Sequence, residues 1–160
     1  MKIIRSEYAG FCFGVRRAVE LLYKELDKGE KQIFTLGHLI HNDDFNQEVA
    51  DRGVKVIDER ALEELSSDGS LVFIRAHGAP AAIYGLLESK GIPYVDATCP
   101  YVKKIHNIVG KEERHFIVIG DSKHPEVKGI VGQVEGSPCT VCSDDLELGE
   151  FLGACEKDRA

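Results

Sequence analysis

The feature of this sequence that most constrains its fold is an alternation of short β-rich runs with helical patterns. QIFTL precedes DDFNQEVADRG, SLVFIRA precedes APAAIYGLLESKG, and HFIVIG precedes PEVKGIVGQV. In VRRAVELLYKEL, the apolar residues Val15, Ala18, Val19 and Leu22 follow the i, i+3, i+4, i+7 spacing of a helix with one buried face. Alternation of this kind predicts an α/β fold class, with small lobes of mostly parallel sheet flanked by helices.

The length of the chain permits one domain or two small lobes. It has 160 residues, of which 43% are hydrophobic, so a sizeable core can be buried. We place the division near Cys99. This predicts a first α/β lobe over residues 1–98, with KIIRSEY as an N-terminal strand, and a second, incomplete α/β lobe over residues 99–160.

The composition of the chain excludes some classes of binding partner and indicates the cell compartment in which we expect the protein. The formal net charge of -7 argues against a protein that binds nucleic acid through its phosphates, because such proteins carry basic patches. No apolar run reaches membrane-spanning length, and MKIIRSEYAG lacks a signal-peptide core, so we expect a cytoplasmic protein that does not bind membranes. Five widely spaced cysteines in a reducing compartment indicate thiols, available for metal ligation or redox chemistry.

Reactive side chains fall where predicted strands give way to predicted helices. Parallel sheets bind ligands beyond the carboxyl ends of their strands, so this is the edge at which functional groups are expected. The candidates at these junctions are Cys12, His38, His41, His77, Cys99, His124 and Glu126. Helix N-termini carry partial positive charge, which favours thiolates and phosphate oxygens, so the pattern indicates soft-metal ligation at the cysteines and anion binding at the histidines.

Other cysteines and histidines are better explained by structure. CTVC at 139–142 resembles half of a zinc site, but it lies in a predicted strand, where residues three apart face opposite ways. Cys155 is expected on an amphipathic helix, and we expect His38, His106 and His115 to be structural or surface residues. Neither G-x-G-x-x-G nor a Walker A sequence occurs, so no motif indicates a dinucleotide or a nucleoside triphosphate.

Five ordered motifs carry a family resemblance. GFCFGVRRAVE, LGHLIHN, RAHGAP, DATCPYVKKIH and GDSKHPEVKGIVGQ span about residues 1–135 and resemble the 4-hydroxy-3-methylbut-2-enyl diphosphate reductase family. The resemblance implies a three-lobed enzyme of the non-mevalonate isoprenoid pathway. Such an enzyme removes the substrate's hydroxyl reductively to give isopentenyl and dimethylallyl diphosphate, with electrons from a ferredoxin- or flavodoxin-like donor.

The resemblance also implies roles for single residues. Cys12 and Cys99 match two thiolate ligands of a 4Fe-4S cluster, while His41, His77 and His124 match ligands of the diphosphate. Glu126 matches the acid that helps the hydroxyl to leave as water. Family members are about twice this length, and their third cluster cysteine comes from a region that this chain does not contain. We therefore expect the 160-residue chain alone to be incomplete and inactive.

Two alternatives use the same residues differently. The cysteines and histidines could hold zinc structurally in a non-enzymatic metal- or diphosphate-binding module. A zinc-dependent hydrolase could use His41, His77 and His124 as ligands, with Glu126 as the base. Colour and labile sulfide after anaerobic preparation distinguish these from an iron–sulfur protein.

Overall fold

The computed structural model describes residues 3–4, 9–111, 113–134 and 136–157. Strands and helices alternate through this part of the chain, as the sequence predicts. The strands are β1 (Gln32–Leu36), β2 (Lys55–Ile57), β3 (Ser70–Ile74), β4 (Tyr94–Asp96), β5 (Phe116–Ile119) and β6 (Cys139–Cys142). The helices are α1 (Phe13–Lys28), α2 (Asp43–Asp51), α3 (Glu59–Glu64), α4 (Ala81–Ser89), α5 (Pro100–Val109), α6 (Pro125–Val131) and α7 (Asp145–Lys157).

The chain forms two compact units that are not continuous in sequence. The first unit comprises Met1–Ala76 and Ile92–Pro100, and the second comprises His77–Gly91 and Tyr101–Ala160. The division between residues 98 and 99 stays a prediction. The strand expected in KIIRSEY lies largely outside the described residues, since only Ile3 and Ile4 of that run are described, and these two are not in a strand.

The first unit is built on a four-stranded parallel sheet in the order β2-β1-β3-β4. Strand β3 is central, and all five of its residues are buried. An uninterrupted apolar run such as SLVFI is typical of a parallel strand that is covered on both faces. The expected α/β class with parallel sheets flanked by helices is therefore confirmed.

Helix α1 packs its apolar face into the core of the first unit. Ala18 and Leu22 are one helical turn apart and fully buried, and they share a core with Phe73 and Ala97. Gly29 ends the helix in the left-handed conformation (φ 65°), which glycine adopts without steric cost, and its N–H donates to the Leu26 carbonyl (3.2 Å). The position of α1 is thus fixed by burial.

The second unit contains a parallel pair, β5 and β6, and the helices α4 to α7 apart from Pro100. Here the segment before α4 is bonded to the end of α6. The Ala81 N–H donates to the Gly132 carbonyl (2.9 Å), and the Gln133 side-chain amide donates to the Ala79 carbonyl (2.7 Å). These bonds hold the stretch that follows β3 against the helix that begins at Pro125.

Within the residues that the structure describes, no helix combines the length and the apolar composition needed to cross a membrane.

The core position of α1 generates a stability prediction. Leu22→Ala removes a side chain with 0% exposure, so we expect it to lower the free energy of unfolding by about 2–5 kcal/mol. Leu146→Ala, at a residue that is 72% exposed, is the matched control and should change it by less than about 0.5 kcal/mol. Urea unfolding followed by circular dichroism measures both, and equal losses would contradict the assigned core.

Candidate functional site

Cys12 lies at the start of α1, as the sequence predicts. It is the N-cap residue, with extended backbone (φ -61°, ψ 167°) and an exposed side chain that makes no capping hydrogen bond. Its carbonyl accepts the N–H of Arg16 (2.9 Å), which closes the first turn of the helix. The thiol is therefore not used to cap the helix, and all five cysteines of the chain are thiols rather than disulfides.

Cys99 occupies the equivalent position before α5, since it directly precedes Pro100, the first residue of that helix. Its N–H donates to the Ala76 carbonyl (2.9 Å), beyond the last paired residues of β3 and β4. The preceding Thr98 is fixed as well, because its N–H (3.0 Å) and its hydroxyl both donate to the Asp96 carboxylate. The segment from Asp96 to Cys99 is a short, bonded junction rather than a loose loop.

The sulfur of Cys99 lies against the first turn of α1. A Cβ placed on Gly14 would come within 2.6 Å of Cys99 Sγ, closer than side chains tolerate, so the contact exists only because residue 14 is glycine. Gly14 is two residues after Cys12 and is buried. Both candidate cluster cysteines thus belong to the same region of the first unit.

Arg17 adds a second connection between α1 and this junction. Its guanidinium donates to the carbonyl of Thr98 (3.2 Å) and to the carbonyl of Asp96 (3.4 Å). Both bonds are partly buried, and they span about eighty residues of sequence. Arginine suits this task because its planar group presents several donors in a fixed arrangement.

Two of the four histidines of the second unit, His77 and His124, lie together. The rings of His77 and His124 are 5.7 Å apart between centroids, in an edge-to-face arrangement. His124 is the N-cap of α6, and its Nδ1 accepts the N–H of Glu126 (3.2 Å). A neutral imidazole that accepts at Nδ1 carries its proton on Nε2, so His124 can donate a hydrogen bond from its other side. Glu126 is half-buried in the first turn of the same helix.

His38 and His41 follow β1 in the first unit, and both are exposed. His41 comes immediately before Asn42, whose side chain caps α2 by accepting the N–H of Phe45 (2.8 Å). The predicted placement of His41 at a strand-to-helix junction is therefore confirmed. Its predicted role as an anion ligand stays a prediction.

The donor set fits part of an iron–sulfur site. Cys12 and Cys99 are sulfur donors at two helix starts in the first unit, and sulfur is the donor type that an iron–sulfur cluster uses. Among the described residues, no three His, Cys, Asp or Glu side chains are grouped closely enough to hold a metal ion by themselves. The described part of the chain thus offers two of the expected thiolates and not a complete ligand set.

The remaining cysteines lie elsewhere. Cys139 and Cys142 occupy strand β6, as predicted, and Cys142 is buried. Burial raises the pKa of the Cys139 thiol, so less of it is thiolate at neutral pH. Cys155 is on helix α7, also as predicted. The structural interpretation of CTVC fits these positions.

Two residues that contact Cys99 or its junction, Gly14 and Arg17, were not predicted from the sequence. The available signal was a glycine inside the first turn of a strong helical pattern, which usually has a packing reason. Arg17 carried no such signal, because an arginine on a helix is most often a solvated surface residue.

Known proteins with similar sequences are reductases of one family. A family model described as LytB protein matches residues 3–157. A relative from Thermoanaerobacter sp. (strain X514), 4-hydroxy-3-methylbut-2-enyl diphosphate reductase, is 43% identical over 97% of this chain and 56% of its own length. The chain therefore spans about half the length of the curated relatives it matches.

Two solved structures are similar in fold. One, described as the structure of (E)-4-hydroxy-3-methyl-but-2-enyl diphosphate reductase, the terminal enzyme of the non-mevalonate pathway, has a TM-score of 0.79 and 36% identity over 94% of this chain and 54% of its own. The other, a reductase from Plasmodium falciparum, has a TM-score of 0.81 and 28% identity over 90% of this chain and 45% of its own.

Proposed function

Because this chain belongs to the LytB family, we propose that it forms the part of a 4-hydroxy-3-methylbut-2-enyl diphosphate reductase that carries two cluster thiolates, the diphosphate-binding histidines and the proton donor. The observation that carries this proposal is the placement of Cys99 Sγ against the helical turn that begins after Cys12. Two thiols in the same region of one unit, one of them exposed, suit shared metal ligation better than two separately buried structural cysteines.

Cys12 and Cys99 are the proposed ligands of a 4Fe-4S cluster. When bound, such a cluster would pass electrons from the donor protein to the substrate for reductive removal of its hydroxyl. The protein's contribution is to hold the two sulfurs at the starts of two helices within one unit. The third thiolate is proposed to come from the remainder of a full-length family member.

His41, His77 and His124 are the proposed ligands of the diphosphate. Imidazole N–H groups donate to phosphate oxygens, and the neutral form of His124 presents its proton on Nε2 because Nδ1 accepts the Glu126 N–H. Local donors of this kind bind an anion despite the chain's net charge of -7.

Glu126 is the proposed proton donor. Loss of a hydroxyl requires a proton on the departing oxygen, which then leaves as water. Glu126 is half-buried and sits in the same helical turn as the N-cap His124, so one short segment holds both the anion ligand and the acid. General acid catalysis of this kind contributes about 10²–10⁴-fold to a rate.

The electron donor and the compartment complete the proposal. We propose that a ferredoxin- or flavodoxin-like protein supplies the electrons, and that the reaction takes place in the cytoplasm, where reduced thiols persist. Membership of the LytB family favours this reductive chemistry over the zinc-binding module and the zinc hydrolase.

The acid role is tested in a hybrid protein, in which this chain replaces the matching part of the Thermoanaerobacter relative and the relative supplies the remainder. We expect the hybrid to be brown and active. Glu126→Gln should keep the cluster and the KM but lower kcat by about 100-fold or more, because the amide keeps the shape and loses the proton.

The matched control is Glu150→Gln on the exposed surface of α7, which should leave kcat unchanged. A colourless, inactive hybrid would contradict the proposed function. Near-normal kcat in Glu126→Gln would show that another group supplies the proton.

The incomplete ligand set generates a second prediction. Anaerobic reconstitution of the 160-residue chain alone should yield far fewer than about four irons per chain, with rapid loss on exposure to air and no turnover, because two thiolates leave irons without protein ligands. Iron and labile-sulfide analysis measures this. Close to full loading with activity would show that a later cysteine or a second copy of the chain completes the site.

A further inference from the structure

We propose that Gly14 and Arg17 are positioning residues that set the separation of the thiols of Cys12 and Cys99. This inference rests on the proposed function, in which the two sulfurs serve one cluster. In this proposal, one face of α1 fixes the position of Cys99, which lies about 85 residues further along the chain.

The first observation is the unusual use of glycine at residue 14. Gly14 lies within α1, and it is not among the glycines with positive φ, so its backbone conformation does not require glycine. Glycine is also a poor helix former. What requires it is space, because a Cβ there would meet Cys99 Sγ at 2.6 Å and Cys99 Cβ at 2.9 Å.

The 2.9 Å contact to Cβ makes this restriction strict. Rotation about χ1 of Cys99 would move Sγ away from an added methyl group, but it leaves Cβ where it is. Gly14→Ala therefore has to displace the backbone of the junction or of the first turn of α1. Either displacement moves Cys99 relative to the start of the helix that Cys12 caps.

The second observation is that Arg17 bonds the same junction. Residues three apart lie on one face of a helix, so Gly14 and Arg17 face the same segment. Packing at Gly14 limits how far Cys99 can approach α1, and the hydrogen bonds from Arg17 to the Thr98 and Asp96 carbonyls limit how far it can withdraw. Opposed restraints of this kind define a position instead of merely stabilising a contact.

The test measures thiol geometry directly, without a cluster. Dibromobimane carries two alkylating arms on a rigid ring and bridges two nearby thiols, forming two C–S bonds and releasing two bromide ions and two protons. The rate of bridging in the intact 160-residue chain is followed by the fluorescence of the doubly alkylated product under anaerobic conditions, and peptide mass spectrometry identifies the chains in which Cys12 and Cys99 are bridged.

In the unsubstituted chain we expect the Cys12–Cys99 bridge to form. Gly14→Ala and Arg17→Met should each slow the bridging by about tenfold, because a displaced thiol is less available to the second arm of the reagent. The matched controls are Gly85→Ala, a helical glycine of α4 with nothing within 4 Å of an added Cβ, and Arg60→Met, on the exposed surface of α3. Both should be bridged at the rate of the unsubstituted chain.

A general loss of stability is separated from a loss of positioning by Leu62→Ala. This variant removes a fully buried side chain of α3 that is not part of the core shared by Ala18 and Ala97, so its bridging should stay normal under conditions where circular dichroism shows it folded. Normal bridging in both Gly14→Ala and Arg17→Met would overturn the proposal, as would equal weakening in Leu62→Ala.

A double-mutant cycle covers the case in which Gly14→Ala does not fold. Cys99→Gly removes both atoms that a methyl group added at residue 14 would strike, so Gly14→Ala should be tolerated in that background. Failure to recover stability there would overturn the contact. A bridge that forms normally in the unsubstituted chain while the hybrid protein lacks labile sulfide would refute the proposed function and leave the positioning role standing.

Discussion

The contact between Gly14 and the sulfur of Cys99 is the constraint on which the candidate metal site depends. It places a ligand from the junction of β4 and α5 against the helix that begins after Cys12. The sheet supports this placement, because the N–H groups of Ala97 and Cys99 continue the hydrogen bonding past the paired residues of β3 and β4. One core also contains Ala18, Leu22 and Ala97, so the burial of apolar surface fixes both sides of the contact.

In the second unit, too, candidate residues lie where a strand is followed by a helix, but here they are a histidine and a glutamate instead of a cysteine. Its parallel strand β5 is followed by a short turn and then by α6, whose first residues carry His124 and Glu126. The bonds from Ala81 to Gly132 and from Gln133 to Ala79 hold the segment after His77 against the same helix. In the first unit Cys99 follows β4, and in the second unit His124 follows β5, so in both cases a segment beyond the carboxyl end of a strand carries the candidate residue.

The local parts of this arrangement could be predicted from the sequence. Helix periodicity predicts α1, which begins directly after Cys12, and Pro100 and Pro125 mark the first helical turns that follow Cys99 and His124. Contacts between distant residues could not be predicted. No local pattern shows that Gly14 makes room for a sulfur about 85 positions away, or that residues 77–91 belong with the second unit rather than the first.

The position of a residue at a helix start does not by itself show what the residue does. The proposed roles of the cysteines, the histidines and Glu126 also rest on membership of the LytB family. An exposed thiol at a helix start is ordinary on its own, and the reductive interpretation comes from two thiols in one region together with the LytB match over residues 3–157. The central claim is that these two sulfurs are cluster ligands. Iron and labile-sulfide analysis of the anaerobically purified hybrid protein tests it most directly, comparing Cys12→Ser and Cys99→Ser with Cys155→Ser on α7. We predict that either of the first two variants loses most of about four irons per chain while Cys155→Ser keeps them; full iron and sulfide in both Cys12→Ser and Cys99→Ser would contradict the account.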